Sequence, residues 1–354
     1  MKNLKINYRP YSLYRISSRL AYRLSFAFVC LTIFLSRGQS FKIAFGSCSR
    51  QDLTDKQLWK EVIAVKPDAW VWTGDNIYAD TKDMDKMRVM YEKQKSHPDY
   101  QLLRSMSRIF GTWDDHDYGE NDGGKNFTEK AESKLEFMRF LDLTSDPELS
   151  SHEGVYQSYD LKSKSGVIRL ILLDTRSFRD DLVTSKVKGR RYDINPEGDV
   201  LGEAQWQWFE KELRRPGADI FMVVTSIQLI PAEHGFEKWA NLPKARQKFF
   251  EVLSKAPSEN IFLVSGDRHI AEVSAIPIAG WKNPLYEFTS SGLTHTWTIA
   301  GEESNAFRKG PLIAERNFGL IDLEWTGEEI KLGYQVIGPE GKILHQLNLS
   351  YLMR

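Results

Sequence analysis

The sequence predicts an α/β protein built from stacked mixed β-sheets covered by helices. Three observations lead there. Short apolar runs alternate with amphipathic stretches in the first half of the chain, in βαβα order, and the second half supplies paired strands. The composition, 41% hydrophobic and 27% charged, is that of a globular chain with a packed core. No internal repeat, low-complexity tract or linker follows residue 40, so the 354 residues read as one domain behind a short leader. A disordered tail, a collagen-like fibre and a disulfide-dense miniprotein are excluded. With 48 basic and 48 acidic residues the net charge is zero, and nothing in the total points to a nucleic-acid partner.

The leader is chemically distinct. Residues 1–40 hold seven basic residues (Lys2, Lys5, Arg9, Arg15, Arg19, Arg23 and Arg37) and no acidic one. Leu24 to Leu35 is apolar, too short to span a bilayer comfortably but suited to the core of a secretory signal. Ser36-Arg37-Gly38 places small residues at the positions a signal peptidase reads. Residues 1–38 are therefore expected to be a signal peptide, with 39–354 as the exported domain and no stable transmembrane anchor; an uncleaved anchor is the rival reading. Without those seven cations the remainder carries 41 basic against 48 acidic residues, a net charge of −7. It also keeps one cysteine, Cys48, since Cys30 lies in the apolar stretch.

Behind the leader, Phe41–Phe45 reads as a strand and Thr54–Val65 as a helix capped by Thr54, with Leu58, Trp59, Val62 and Ile63 on one face. Ala69–Thr73 is a second strand. A charged helical region spans Asp83–Arg108, and Arg108–Thr112 is a third strand. Glu129–Leu141 is helical, Gly154–Leu161 and Val167–Leu173 pair as strands, and Leu201–Leu213 is an amphipathic helix. Ile220–Thr225 and Ile261–Val264 are strands either side of a helix at Leu242–Leu253. From Ala271 onward strands and turns continue, ending in Gly319–Trp325, Ile330–Val336 and Ile343–Leu349.

Polar clusters sit at the ends of these runs: Cys48; Asp75, Asn76 and Tyr78; Asp114 to Asp117; and Asp267 with His269. Each has a bland explanation. Asp75 suits a helix cap or turn, His116 a charged surface loop, His269 a satisfied core position, and Cys48 a small buried apolar side chain. Together they say more, because in an open α/β sheet strand ends converge on one crevice. Carboxylates, imidazole and thiolate converging there would hold two or three metal ions. Asp-Asp-His-Asp is costly to assemble otherwise, since adjacent like charges repel unless a cation or protons neutralise them.

Gly-Asp-x-x-Tyr at Gly74–Tyr78, Asp-Asp-His-Asp at Asp114–Asp117 and Gly-Asp-x-His at Gly266–His269 resemble the blocks of the alkaline phosphatase D (PhoD-like) family of metallophosphoesterases. Gly46-Ser47-Cys48-Ser49 looks like its opening block. Leu173-Asp174-Thr175-Arg176, Leu201–Trp206, Trp239 with Pro243 and Arg246, and Ser290–Thr296 are similar to further pieces, over roughly residues 41–300. One departure is the lack of a counterpart to the N-terminal β-sandwich of larger members. The resemblance implies an α/β/β/α sandwich of two mixed sheets flanked by helices. It also implies hydrolysis of phosphomonoesters or phosphodiesters by metal-held water or hydroxide attacking phosphorus.

The same resemblance implies roles for individual residues. Asp75 would bridge two metals. Cys48, Tyr78 and His269 would complete a site for ferric iron, and Asp115 with Asp267 a harder site for calcium, magnesium or manganese. His116 would protonate the leaving alkoxide with Asp117 orienting its ring, Asn121 would bind the phosphate or a metal, and Arg176 would hold the phosphate. For Arg176 a salt bridge to Asp180 or Asp181 is the competing reading. The substrate would be a phosphate-ester small molecule or, for a phospholipase-type diesterase, a phospholipid.

Other features stay open. The basic run Lys186, Lys188, Arg190 and Arg191 is by default a solvated loop, or else a rim for anionic substrates. The chemistry of His295 is not readable. Asn126-Phe127-Thr128 and Asn348-Leu349-Ser350 match the glycosylation pattern. A thiol hydrolase using Cys48 with His116 or His269 as base, and a non-catalytic metal-binding protein, are the alternatives of other classes.

Overall fold

The computed structural model describes residues 40–298 and 303–353; the expected leader lies outside them. Strands β1 (Phe41–Gly46), β2 (Ala69–Thr73) and β3 (Arg108–Thr112) run parallel, joined by helices α1 (Trp59–Ala64), α2 (Met84–Lys95) and α3 (Pro98–Met106). A four-residue helix α4 (Asp115–Tyr118) follows β3, then α5 (Lys130–Phe140) and α6 (Pro147–Ser150). Strands β4 (Gln157–Lys162) and β5 (Val167–Leu172) pair antiparallel, and β6 (Val183–Thr184) and β7 (Tyr192–Asp193) form a small separate hairpin. Helix α7 (Gly202–Arg214), β8 (Ile220–Val224), α8 (Pro243–Ser254) and β9 (Ile261–Ser265) follow. The chain then adds β10 (Ala271–Ile276), β11 (Leu285–Ser290) and a meander of β12 (Phe318–Thr326), β13 (Glu329–Ile337) and β14 (Ile343–Leu352).

These strands make two mixed six-stranded sheets, ordered β14-β13-β12-β1-β2-β3 and β10-β11-β9-β8-β5-β4. Side-chain alternation decides the layers, because successive residues of a strand face opposite ways. Ile43, Phe45 and Val71 of the first sheet meet Leu170, Met222, Phe262 and Phe288 of the second in a central core. The intervening Ala44, Trp70 and Trp72 face outward against Trp59, Tyr100 and Phe137 of the helices. Trp59 meets Trp70 and Trp72 edge-on at 5.2 and 5.3 Å, and such pairs contribute about 0.5–1.5 kcal/mol each beyond their buried area. On the far side Ile171 and Phe221 pack against Trp206 and Phe249 of the other helical layer. The result is the expected α/β/β/α sandwich.

Local departures have local causes. The helix expected over Thr54–Val65 begins only at Trp59, because residues 50–56 fold into turns closed by Leu53 N–H to Arg50 O and Lys56 N–H to Leu53 O. The charged region splits at Pro98, which lacks an N–H and holds His97 out of the helical conformation, so α3 starts anew. Strand β4 starts at Gln157, not Gly154, since Gly154 turns with φ 79° and the Val155 N–H donates to Asp174. The basic run expected in a loop lies between the two short strands of the hairpin β6–β7.

The ends of β1, β2, β3 and β9 come together because two glycines let backbones touch. A Cβ on Gly266 would lie 2.5 Å from Ser47 Oγ and 2.7 Å from Thr73 O, pinning the end of β9 against those of β1 and β2. Gly74 has φ 102°, and a Cβ there would meet Asp114 Cβ at 2.5 Å.

Candidate metal centre

Immediately past those strand ends the backbone takes conformations that L-residues rarely adopt. Cys48, Asp75, Asp267 and His269 have φ of 58°, 49°, 66° and 55°. Such left-handed residues persist only where their surroundings over-determine them, and they cluster at functional sites.

The side chains then converge. Cys48 Sγ lies 3.3 Å from Asp75 Oδ2, and the Tyr78 hydroxyl lies 3.3 Å from both Asp75 Oδ2 and His269 Nε2. Among the described residues three sets of donor atoms lie within 4.8 Å of one another: Cys48, Asp75 and His269; Asp75, Asp115 and His116; and Asp114, Asp115 and Asp267. Asp75 and Asp115 each belong to two sets, so adjoining cation positions would share carboxylates.

The donor set fits metal ions. Asp75 Oδ1, Asp114 Oδ2 and His269 Nδ1 are buried with no hydrogen-bond partner. Buried polar atoms are almost always satisfied, so orphaned carboxylate oxygens among other acids call for a cation. The protonation equilibria say the same. Burial, then repulsion from Cys48 and Asp115, drives the Asp75 carboxyl well above the ordinary range. Burial and the Asp115 charge push Asp267 up to about 7. Burial pushes the Cys48 thiol up to about 12. For Asp115 burial also raises the carboxyl, but His116, Arg176 and the Asp122 N–H outweigh it and hold it below the usual value.

His116 lies at the edge of this cluster. Its Nδ1 is 2.8 Å from both Asp80 oxygens, and its ring stacks on Tyr78 at 4.1 Å. Burial disfavours its charge, but Asp115 and Asp80 outweigh that and raise it to about 9. The carboxylate that contacts the His116 ring is thus Asp80 and not the expected Asp117. Asp117 points the other way, accepting from the Asp114 N–H at 2.7 Å and the Asn76 side-chain amide at 2.5 Å. It braces the turn into α4.

Arg176 lies away from the place expected of it. It is wholly buried; its Nε donates to Asp114 Oδ1 at 2.6 Å and its Nη1 to Glu237 Oε2 at 2.7 Å. It does not line the cavity. Nor does it pair with Asp180 or Asp181, which engage Lys125 and Asn126. Its charge is committed to the carboxylates beneath the site.

Above the cluster opens a cavity of about 350 Å³, with Tyr78, Asp115, His116, Asn121, Asp267, His269 and His295 in its wall. Asn121 is exposed there, its amide 2.8 Å from Asp122 Oδ2. His295 packs on His269 with ring centroids 4.4 Å apart and pairs with Thr294 Oγ1 at 2.9 Å. Burial and Arg50 hold it near 4, a neutral ring at physiological pH. Asp122, Phe236, Arg268 and Trp297, for which the sequence suggests no role, also line the wall, as does Arg191 of the basic run. Of these, Arg268 belongs to the Gly-Asp-x-His block, and Asp122, Phe236 and Trp297 carry no local signal. Cys48 lies below the cavity, fully buried, bonded to Asp75 Oδ2 and, at 3.7 Å, to Asp267 O, with no histidine among its hydrogen-bond partners. A fully buried thiol with no histidine bonded to it to take its proton is a poor nucleophile, which weighs against the thiol-hydrolase alternative.

A family model described as PhoD-like phosphatase matches residues 43–328. Among solved structures, a structure of PhoD superimposes with a TM-score of 0.67 at 17% identity, covering 89% of this chain and 70% of that one. At that identity the likeness is one of fold. A predicted phosphoesterase from Streptococcus pneumoniae TIGR4 matches at 9% identity over 88% of this chain and 99% of its own, with a TM-score of 0.30. Vps29 from Chaetomium thermophilum matches at 9% identity over 89% and 100%, with a TM-score of 0.31. No curated protein matches the chain significantly. The family match contains every strand-end cluster described above, and the chain belongs to the PhoD-like phosphatase family and is a phosphoric ester hydrolase.

Proposed function

We propose that the chain is an exported metal-dependent phosphoesterase that hydrolyses phosphomonoesters and phosphodiesters. The observation that carries this is the position of Asp75, whose carboxylate reaches both the Cys48–His269 set and the Asp115–His116 set. Cys48, Asp75, Tyr78 and His269 would hold ferric iron, since thiolate and phenolate donors favour it. Asp75, Asp115 and Asp267 offer hard oxygen to calcium, magnesium or manganese. When bound, these ions supply Lewis acidity toward the phosphoryl oxygens and make bound water acidic enough to attack.

The chain's own groups do the rest. Asp80 fixes His116 Nδ1 and leaves Nε2 to donate a proton to the departing alkoxide. Asn121 binds a phosphate oxygen at the cavity wall. Arg176 acts at one remove, holding Asp114 beside the site. Export rests on the basic, apolar character of residues 1–38.

The test is metal analysis of purified protein alongside a panel of monoester and diester substrates, before and after chelation. Asp75→Ala should lose both ions and nearly all turnover. Full turnover after exhaustive chelation, or unchanged metal content in that variant, would sink the reading.

A further inference from the structure

The wall of the cavity continues outward into a surface that the chemistry of ester hydrolysis does not use. The N–H groups of Arg191, just before β7, and Tyr192, its first residue, both donate to Gly235 O, at 2.7 and 3.3 Å. A Cβ on Gly235 would lie 2.5 Å from Gly189 O, so hairpin and loop are pressed together. The next residue, Phe236, meets Trp297 edge-on at 5.1 Å. Arg191, Phe236 and Trp297 all line the cavity, so the hairpin β6–β7 and Trp297 form one rim at its mouth.

That rim is cationic and apolar at once. Its tip is Lys186-Val187-Lys188, all exposed, with Val187 at 57% and Trp297 at 38%. Among the described residues neither lysine has an ion-pair partner. The sign of this patch opposes that of the chain, since the residues after the leader sum to −7. At physiological salt, charges beyond about 8 Å are screened, so the local patch governs contact with a charged surface.

We propose that the β6–β7 tip and Trp297 dock the enzyme on an anionic lipid bilayer, so that phosphoesters reach the cavity from the membrane surface. This rests on the phosphoesterase reading for what happens in the cavity. Lysines flanking an exposed valine, beside a half-exposed tryptophan, suit a headgroup region: cations meet the phosphates while valine and indole enter the interface. A soluble polyanion would use the lysines and leave Val187 and Trp297 without a role.

The test is co-sedimentation of the exported protein, residues 39–354, with phosphatidylcholine vesicles, with and without phosphatidylglycerol. Turnover of soluble p-nitrophenyl phosphate and its diester is measured in parallel. Wild type should pellet with the anionic vesicles and not the neutral ones, and salt should release it. Each lysine near an anionic surface strengthens binding about 5-fold, so Lys186→Gln with Lys188→Gln should weaken it roughly 25-fold and leave soluble turnover intact. Equal pelleting of wild type and variant, no pelleting at all, or capture by inorganic polyphosphate but not vesicles would each overturn the proposal. Vesicle binding with no soluble turnover by the metal-loaded wild type would uphold docking and overturn the esterase reading instead.

Discussion

Replacing Asp80 by Asn separates the charge of the His116–Asp80 pair from its shape. The amide can still accept from His116 Nδ1, but the negative charge is gone. His116 is raised to about 9 with Asp115 and Asp80 as the favourable causes, so it is protonated through neutral pH and loses its proton as pH rises through that value. A step that needs this acid therefore fails on the alkaline side. A hydrogen bond to a charged partner contributes about 1.5–3 kcal/mol. Asp80 is 43% exposed, and solvent screening trims its share to about 1–1.5 kcal/mol, roughly one pKa unit. The assay is the pH profile of kcat for an alkyl phosphate and for p-nitrophenyl phosphate, whose leaving group needs little protonation. Asp80→Asn should move the alkaline limb for the alkyl ester down by about one pH unit. Between the two limbs that substrate should then turn over about 3-fold more slowly than with wild type, and above both limbs about 10-fold more slowly. The aryl ester should barely respond. An unmoved limb, or equal losses on both substrates, would refute His116 as the proton donor.

Other outcomes follow from the same coordinates. Cys48→Ser should cost the protein its iron and its charge-transfer colour, and activity should track iron content; an iron-free, fully active wild type would exclude the ligand role. Arg176→Met should destabilise the fold by about 3–5 kcal/mol in urea titrations, because it strands the buried Asp114 carboxylate and leaves Glu237 to Arg179 alone. A loss below about 1 kcal/mol would show that those groups are neutral without it. N-terminal sequencing of secreted protein should begin near Gln39, and a full-length cytoplasmic product would refute export.

The strands that carry the candidate ligands were legible because they are buried on both faces. Phe41–Phe45, Ala69–Thr73 and Ile261–Val264 are mostly apolar runs that stop at glycine-containing polar loops, and that punctuation placed Cys48, Asp75, Asp267 and His269 at one crevice. What failed was direction. His116 and Asp117 are adjacent in α4, where consecutive side chains point about 100° apart, so the neighbour in sequence could not orient the ring. Asp80 could, because its N–H and that of Ala79 both donate to His116 O and bring their loop against α4. Arg176 misled for a different reason: its partner Glu237 is sixty-one residues away, and nothing local marks that pairing. The hairpin β6–β7 has two-residue strands, too short to show any alternation.

Four left-handed residues at one site also bear on how the protein survives in a cell. Each such conformation costs on the order of 1–3 kcal/mol, so together Cys48, Asp75, Asp267 and His269 draw on a sizeable part of the roughly 5–15 kcal/mol that holds a domain folded. An ion that binds only the native arrangement adds stability by mass action. Metal starvation would then act on abundance before it acts on rate. Chains made without metal would populate the unfolded state and be cleared by proteolysis, and adding metal afterwards would restore only those that survived. Supply of the ion during folding, more than its affinity for the finished enzyme, would set how much active protein a cell holds.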